Sequence, residues 1–140
     1  GYLGAGRFLN IDGSTINVTG SSDLQLQAQF GVTITGSNIA PGVNPVNSVG
    51  IYGFNGPISI SGSVIGGPNV SVVIIYAQAG NNLTIANTSI TGNSILLGGN
   101  IVTLDPSTVI NGSSIEIQAN SFLPNGASLS TTPVINPYVP

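Results

Sequence analysis

The chain has 140 residues and five charged side chains, Arg7, Asp12, Asp23, Asp105 and Glu116, with a formal net charge of −3. It contains no Lys, His, Cys, Met or Trp. One Arg cannot line a nucleic-acid groove, and the missing residue types remove His general bases, Lys Schiff bases, Cys nucleophiles and Cys/His metal centres. The expectation is a single domain over 1–140 that is not an enzyme and carries no cofactor or metal.

Ile and Val supply 31 residues against 10 Leu and 8 Ala, while Gly, Asn, Ser and Thr supply 20, 16, 17 and 11. Branched residues fit pleated strands, and the small polar residues fit tight turns and left-handed corners. That composition predicts an all-β chain of short strands. With 41% hydrophobic residues and little net charge, it does not have the profile of a disordered chain.

In chain order, GYLGAG at 1–6 is glycine-rich and leaves Tyr2 and Leu3 unpartnered, so 1–9 is expected as an extended arm. Alternating strand segments follow at Thr15–Thr19, Asp23–Ala28, Gly31–Thr35, Pro57–Ser61, Asn82–Ala86, Gly99–Leu104 and Ser114–Ala119. Each sets apolar residues on one face and Thr, Ser, Gln or Asn on the other. Most are punctuated by Gly or Asn-Gly, as at Gly36, Gly62, Gly80, Gly92 and Asn111-Gly112. The segment Ala40–Pro68, with Pro41, Pro45, Pro57 and Pro68, is expected to be irregular. The tail TPVINPYVP at 132–140 is expected as a second extended arm. The longest apolar run, VVIIYA at 72–77, falls far short of the roughly 20 residues of a membrane helix, and eight Tyr and Phe do not make two aromatic girdles. No membrane insertion is expected. The chain begins at Gly1, which fits a processed mature product as well as a trimmed chain.

A loose repeat underlies these segments. DLQLQAQFGVTITGSNIAPG from Asp23, SILLGGNIVTLDPSTVING from Ser94 and SIEIQANSFLPNGASLST from Ser114 each read strand, corner, strand, corner. A unit of about 18–21 residues is the length of a solenoid coil. The predicted fold is a short parallel β-helix, or β-solenoid, with a β-sandwich or jelly roll as the alternative.

Few constellations carry chemistry. Asp12, Asp23 and Asp105 occupy turn and strand-end positions, and Glu116 alternates with Ile115 and Ile117, so a hydrolase with paired carboxylates is the weakest class. Five Asn-x-Ser/Thr sequons, at Asn17, Asn69, Asn82, Asn87 and Asn111, are possible glycosylation sites. Chance alone gives about three in so Asn- and Ser-rich a chain. Thr33, Thr35 and Thr84 offer a hydroxyl face for ice or flat sugar surfaces, without repeated Thr-x-Thr rungs.

The missing charge is the most informative feature. Natural sheets guard open edges with charge, and solenoids cap their ends with polar repeats. This chain has too few charges for either, and Val70–Ala77 has the branched, uncharged profile of an aggregation-prone strand. The expected partner is therefore a second copy, stacked head to tail.

The SIEIQANSFLPNGASL and DLQLQAQFGVTITG stretches resemble rungs of filamentous-haemagglutinin-type β-helices, secreted adhesins of bacteria, over about residues 10–39 and 81–130. The resemblance implies a right-handed parallel β-helix, a secreted or cell-surface location, and adhesion or scaffolding. The chain is expected to be a structural subunit of a non-covalent extracellular filament, with Tyr2, Leu3, Val134, Ile135, Tyr138 and Val139 as subunit contacts. The alternative is a monomeric adhesin or carbohydrate-binding module with surface glycans as partner.

Overall fold

A computed structural model describes residues 1–18, 22–41 and 45–140. Among them nineteen strands and no helix form three sheets in which every neighbouring pair is parallel. Sheet A contains β1 (Tyr2–Ala5), β4 (Asp23–Ala28), β7 (Val46–Gly53), β10 (Val70–Ala77), β13 (Ser94–Gly98), β16 (Ser114–Gln118) and β19 (Val134–Asn136). Sheet B contains β2 (Phe8–Asp12), β5 (Gly31–Thr35), β8 (Ile58–Ser61), β11 (Leu83–Ala86), β14 (Ile101–Thr103) and β17 (Ser121–Leu123). Sheet C contains β3 (Thr15–Ile16), β6 (Asn38–Ile39), β9 (Val64–Gly66), β12 (Ser89–Thr91), β15 (Val109–Asn111) and β18 (Ser128–Leu129). The chain visits A, B and C in turn, so it is a parallel β-solenoid, and about five turns separate the first full rung from the last.

Rung length is uneven. Tyr2 pairs with Gln25 and Asp23 with Ser48, steps of 23 and 25 residues, whereas Ser94 pairs with Ser114 and Glu116 with Val134, steps of 20 and 18. The 18–21-residue unit expected from the sequence holds only for the later rungs. Part of the extra length is spent at the corner between sheets A and B, which takes residues 54–57 and 78–82 in the middle rungs but only 99–100 and 119–120 later.

The alternation within each strand puts branched residues inside, where they stack rung upon rung. In sheet A one ladder runs Leu3, Leu26, Ile51, Ile75, Leu97, Ile117, Ile135. In sheet B the ladder is Leu9, Val32, Ile58, Leu83, Val102, Phe122. In sheet C it is Ile16, Ile39, Ile65, Ile90, Ile110, Leu129. The middle members of all three ladders are buried, each stabilising the fold by about 1.5–3 kcal/mol.

The corner between sheets B and C is built by a second repeated device. Gly13, Gly36, Gly62 and Asn87 all take positive φ there, at 56°, 53°, 58° and 45°. Glycine has no Cβ to clash in that region, and Asn tolerates it better than other residues. Each is followed by a hydroxyl residue, Ser14, Ser37, Ser63 and Thr88. The Oγ of Ser37 accepts from Ser14 N–H, that of Ser63 from Ser37 N–H, and that of Thr88 from Ser63 N–H, at 3.0, 3.1 and 3.3 Å. The backbone turns sharply inside the protein without leaving those donors bare.

Two expectations about the middle of the chain change. Ala40–Pro68, expected to be irregular, contains the full rung β7–β8–β9. Its four prolines lie between strands, where no ladder N–H is required of them. Residues 42–44 of that segment, and Thr19 of the strand expected at Thr15–Thr19, lie outside the described residues. Val70–Ala77 forms β10, which is paired on both sides by β7 and β13 and is no edge.

Candidate assembly surface

The open edges of this solenoid are its two ends. At one end β1, β2 and β3 are the outermost strands of their sheets, and at the other β19, β17 and β18 are. The six edge strands read YLGA, FLNID, TI, SFL, SL and VIN, so Asp12 is their one charged residue. Leu3 and Ile135, the terminal members of the sheet A ladder, are 41% and 56% exposed. Ile16, Phe122 and Leu129 are half-buried at the ends of the other ladders. Leu9, Ile16, Phe122 and Leu129 are end residues that the sequence reading missed; ladder register is the signal that identifies them.

The contact residues expected from sequence divide into two groups. Tyr2, Leu3, Val134, Ile135 and Val139 are exposed. Tyr138 is 8% exposed and sits against its own chain. Its ring stacks on Tyr76 at 5.9 Å and 15°. Its hydroxyl donates to Ala77 O at 2.8 Å and accepts from Gly80 N–H at 2.9 Å. The Tyr76 hydroxyl lies 2.7 Å from Val139 O, 2.9 Å from Gln118 Oε1 and 3.1 Å from Val139 N. Burial pushes the Tyr76 phenol up; the Val139 backbone bond works against that shift, while the Tyr138 phenol and Glu116 add to it. The tail thus folds back from β19 over the outer face of sheet A and ties β10 to β16. The segments expected as arms, 1–9 and 132–140, supply β1, the start of β2 and β19 to the chain's own sheets.

The four carboxylates are dispersed and locally engaged. Asp12 accepts from Thr35 at 2.6 Å, and Asp23 accepts from Ser48 at 2.7 Å. Asp105 accepts from Thr108 Oγ1 at 2.7 Å and from Asn87 N–H at 3.0 Å, bonds that hold its carboxyl below the usual range. Glu116 accepts from Gln118 at 2.7 Å and from Asn136 at 3.2 Å. Among the described residues no group of three or more potential metal ligands is brought together.

The remaining polar features lie on the outer faces. Thr33, Ser59, Thr84 and Thr103 stand in one register row on sheet B, while Thr35 is bonded to Asp12. A shallow cleft of about 450 Å³ between sheets C and A is lined by neutral groups, including Asn93, Asn111, Ser113 and Ser130. The sequon residues Asn17, Asn69, Asn82, Asn87 and Asn111 are all exposed, although Asn82 Oδ1 accepts from Ile101 N–H at 3.1 Å and Asn87 is the left-handed corner residue. No protein-family model matches the chain, and no curated protein or solved structure matches it.

Proposed function

We propose that this chain is a structural subunit of a non-covalent extracellular filament, assembled by end-to-end stacking of its β-edges. The single observation that carries the reading is the pair of solenoid ends, where three apolar ladders stop at unpaired, nearly charge-free strand edges. An unguarded edge is a template for further parallel strands. The two ends differ, so their contact is heterologous and gives an open fibre when the rotation does not close. Low charge supports the reading because stacked copies repel one another little and respond weakly to salt. The likeness of the Asp23 and Ser114 rungs to filamentous-haemagglutinin-type β-helices supports a secreted, cell-surface setting. The dispersed, hydrogen-bonded carboxylates support a role without catalysis.

Negative-stain images and sedimentation of the purified chain at neutral pH test it. Filaments are expected for the parent chain. Leu3→Lys, which sets a charge at the head of the sheet A ladder, is expected to keep the fold and lose assembly. Dispersed monomers at millimolar concentration of the parent chain would sink the proposal. A second reading, a surface module for neutral glycans, has the Asn93 and Asn111 cleft in its favour. Saturable binding of a neutral oligosaccharide by a purely monomeric protein would support that reading instead.

A further inference from the structure

The two ends of the solenoid do not match in height. Sheet A has seven strands and sheets B and C have six each, the surplus strand being β19. A second copy that laid its β1 on β19 would hold its β2 and β3 one strand spacing, about 4.8 Å, too far from β17 and β18. Backbone N–H···O bonds need about 2.7–3.2 Å, so two of the three sheets would stay unpaired. Without β19, the strands β16, β17 and β18 end at one rung, and β1, β2 and β3 of the next copy meet all three.

The residues at that junction fit. Leu3 would take the place over Ile117 that Ile135 holds, Leu9 would lie on Phe122, and Ile16 on Leu129, so that every ladder continues. β16, which becomes the edge once β19 leaves, reads with the residue after it Glu116-Ile117-Gln118-Ala119, close to Gln25-Leu26-Gln27-Ala28 in β4. Within the chain, β1 lies on one side of that β4 pattern, and β7, on the side that matches the junction, presents Gly50-Ile51-Tyr52-Gly53. β1 presents Tyr2-Leu3-Gly4-Ala5, an inward aliphatic residue between a Tyr and a Gly with the last two exchanged. The occupant already on β16 is short: β19 makes three register pairs, and its hold is reinforced from outside by the Tyr138 and Tyr76 clasp.

We infer that β19 and the β1 strand of a second copy compete for the same edge of β16, so that the β19 strand and its Tyr138 clasp act as a releasable cap on filament growth. The inference rests on the filament reading and adds to it a specific register and a controlled step. Release exchanges one strand pair of three residue pairs inside one chain for strand pairs along three sheets between two chains.

A reversible lock tests this in the full chain, which has no cysteine of its own. Gln118 and Asn136 are register partners, so Gln118→Cys together with Asn136→Cys places two thiols at a spacing that suits a disulfide. Growth is followed by light scattering and electron microscopy. The oxidised protein is expected to elongate at least about ten-fold more slowly than the same protein after reduction, with reductant restoring growth. Equal rates in the two states would overturn the inference while leaving the filament reading intact. Tyr138→Phe, which removes both hydroxyl bonds and keeps the ring, is expected to speed nucleation several-fold; slower growth would count against the cap. If the parent chain forms no filaments, the filament reading falls and the cap with it.

Discussion

The backbone N–H of Ser37 donates to the Oγ of Ser63 across one rung at 3.1 Å, and the Ser63 hydroxyl donates in turn to its own Ser61 carbonyl at 2.8 Å. Ser37 and Ser63 are 1% and 3% exposed, so no solvent stands ready to replace either bond. Hydroxyls suit this corner because one oxygen both accepts and donates. The corner therefore turns between two sheets while the Ser14, Ser37 and Ser63 N–H donors stay satisfied, which lets short strands stack there without helices or disulfides.

Ser63→Ala should cost about 1–3 kcal/mol, because it leaves the buried Ser37 N–H without an acceptor. Ser63→Thr should cost much less, since Thr88 fills the same position one rung later. Denaturant unfolding of both variants measures the difference. Equal losses for Ala and Thr would mean that shape, and not the hydroxyl, matters there.

The strand periods were legible because the chain alternates cleanly: Asp23–Ala28 and Gly31–Thr35 fall on β4 and β5 residue for residue. The corner code is present in the sequence but is not periodic in residue number. Ser14-x-Ile16, Ser37-x-Ile39, Ser63-x-Ile65, Thr88-x-Ile90 and Thr108-x-Ile110 mark the same place in five rungs, a hydroxyl at the corner and then the inward residue of sheet C. It was hidden by uneven spacing, since corner insertions change rung length without changing rung shape. The prolines of Ala40–Pro68 misled for the same reason: a proline disrupts a strand but fits between two. The exposed Leu3 and Ile135 edges followed from composition and strand pattern. The seat of Tyr138 did not, because its partners Tyr76, Ala77 and Gly80 lie about sixty residues away and no periodic signal links them.

Asp105 should make the fold weaken in acid. Bonds from Thr108 and from Asn87 N–H lower its folded pKa below the unfolded value of about 3.9. A depressed carboxyl contributes stability that is present above the unfolded pKa and lost as pH falls through the folded one. With no His in the chain, stability should be nearly flat from about pH 5 to 9 and fall below about pH 4. Asp105→Asn keeps an acceptor for Thr108 and removes the charge. The stability gap between this variant and the parent chain should therefore close on acidification, as read from urea midpoints between pH 7 and pH 2. A gap that stays constant over that range would assign the loss to geometry alone.

Tyr76 sets the opposite limit, at the tail clasp. Burial first, then the nearby Tyr138 phenol and Glu116, raise its folded pKa, and the Val139 backbone bond only partly opposes them. A raised phenol contributes stability that is fully present below the unfolded pKa of about 10 and is lost as pH rises through the folded value. Deprotonation also removes the proton that the hydroxyl donates to Val139 O or Gln118 Oε1, so the tail should loosen in alkali. Tyrosine absorbance at 295 nm should show late-titrating phenol, of which Tyr76→Phe removes a share; Tyr52, raised by its own burial, remains. Gly98→Ala should disturb the same clasp near neutral pH, because its Cβ would lie 2.1 Å from the Tyr76 ring and force it outward. That variant should bring the Tyr76 titration back toward its ordinary range. A late step unchanged in both Tyr76→Phe and Gly98→Ala would place the perturbed phenol elsewhere and leave the clasp without a role in the alkaline transition.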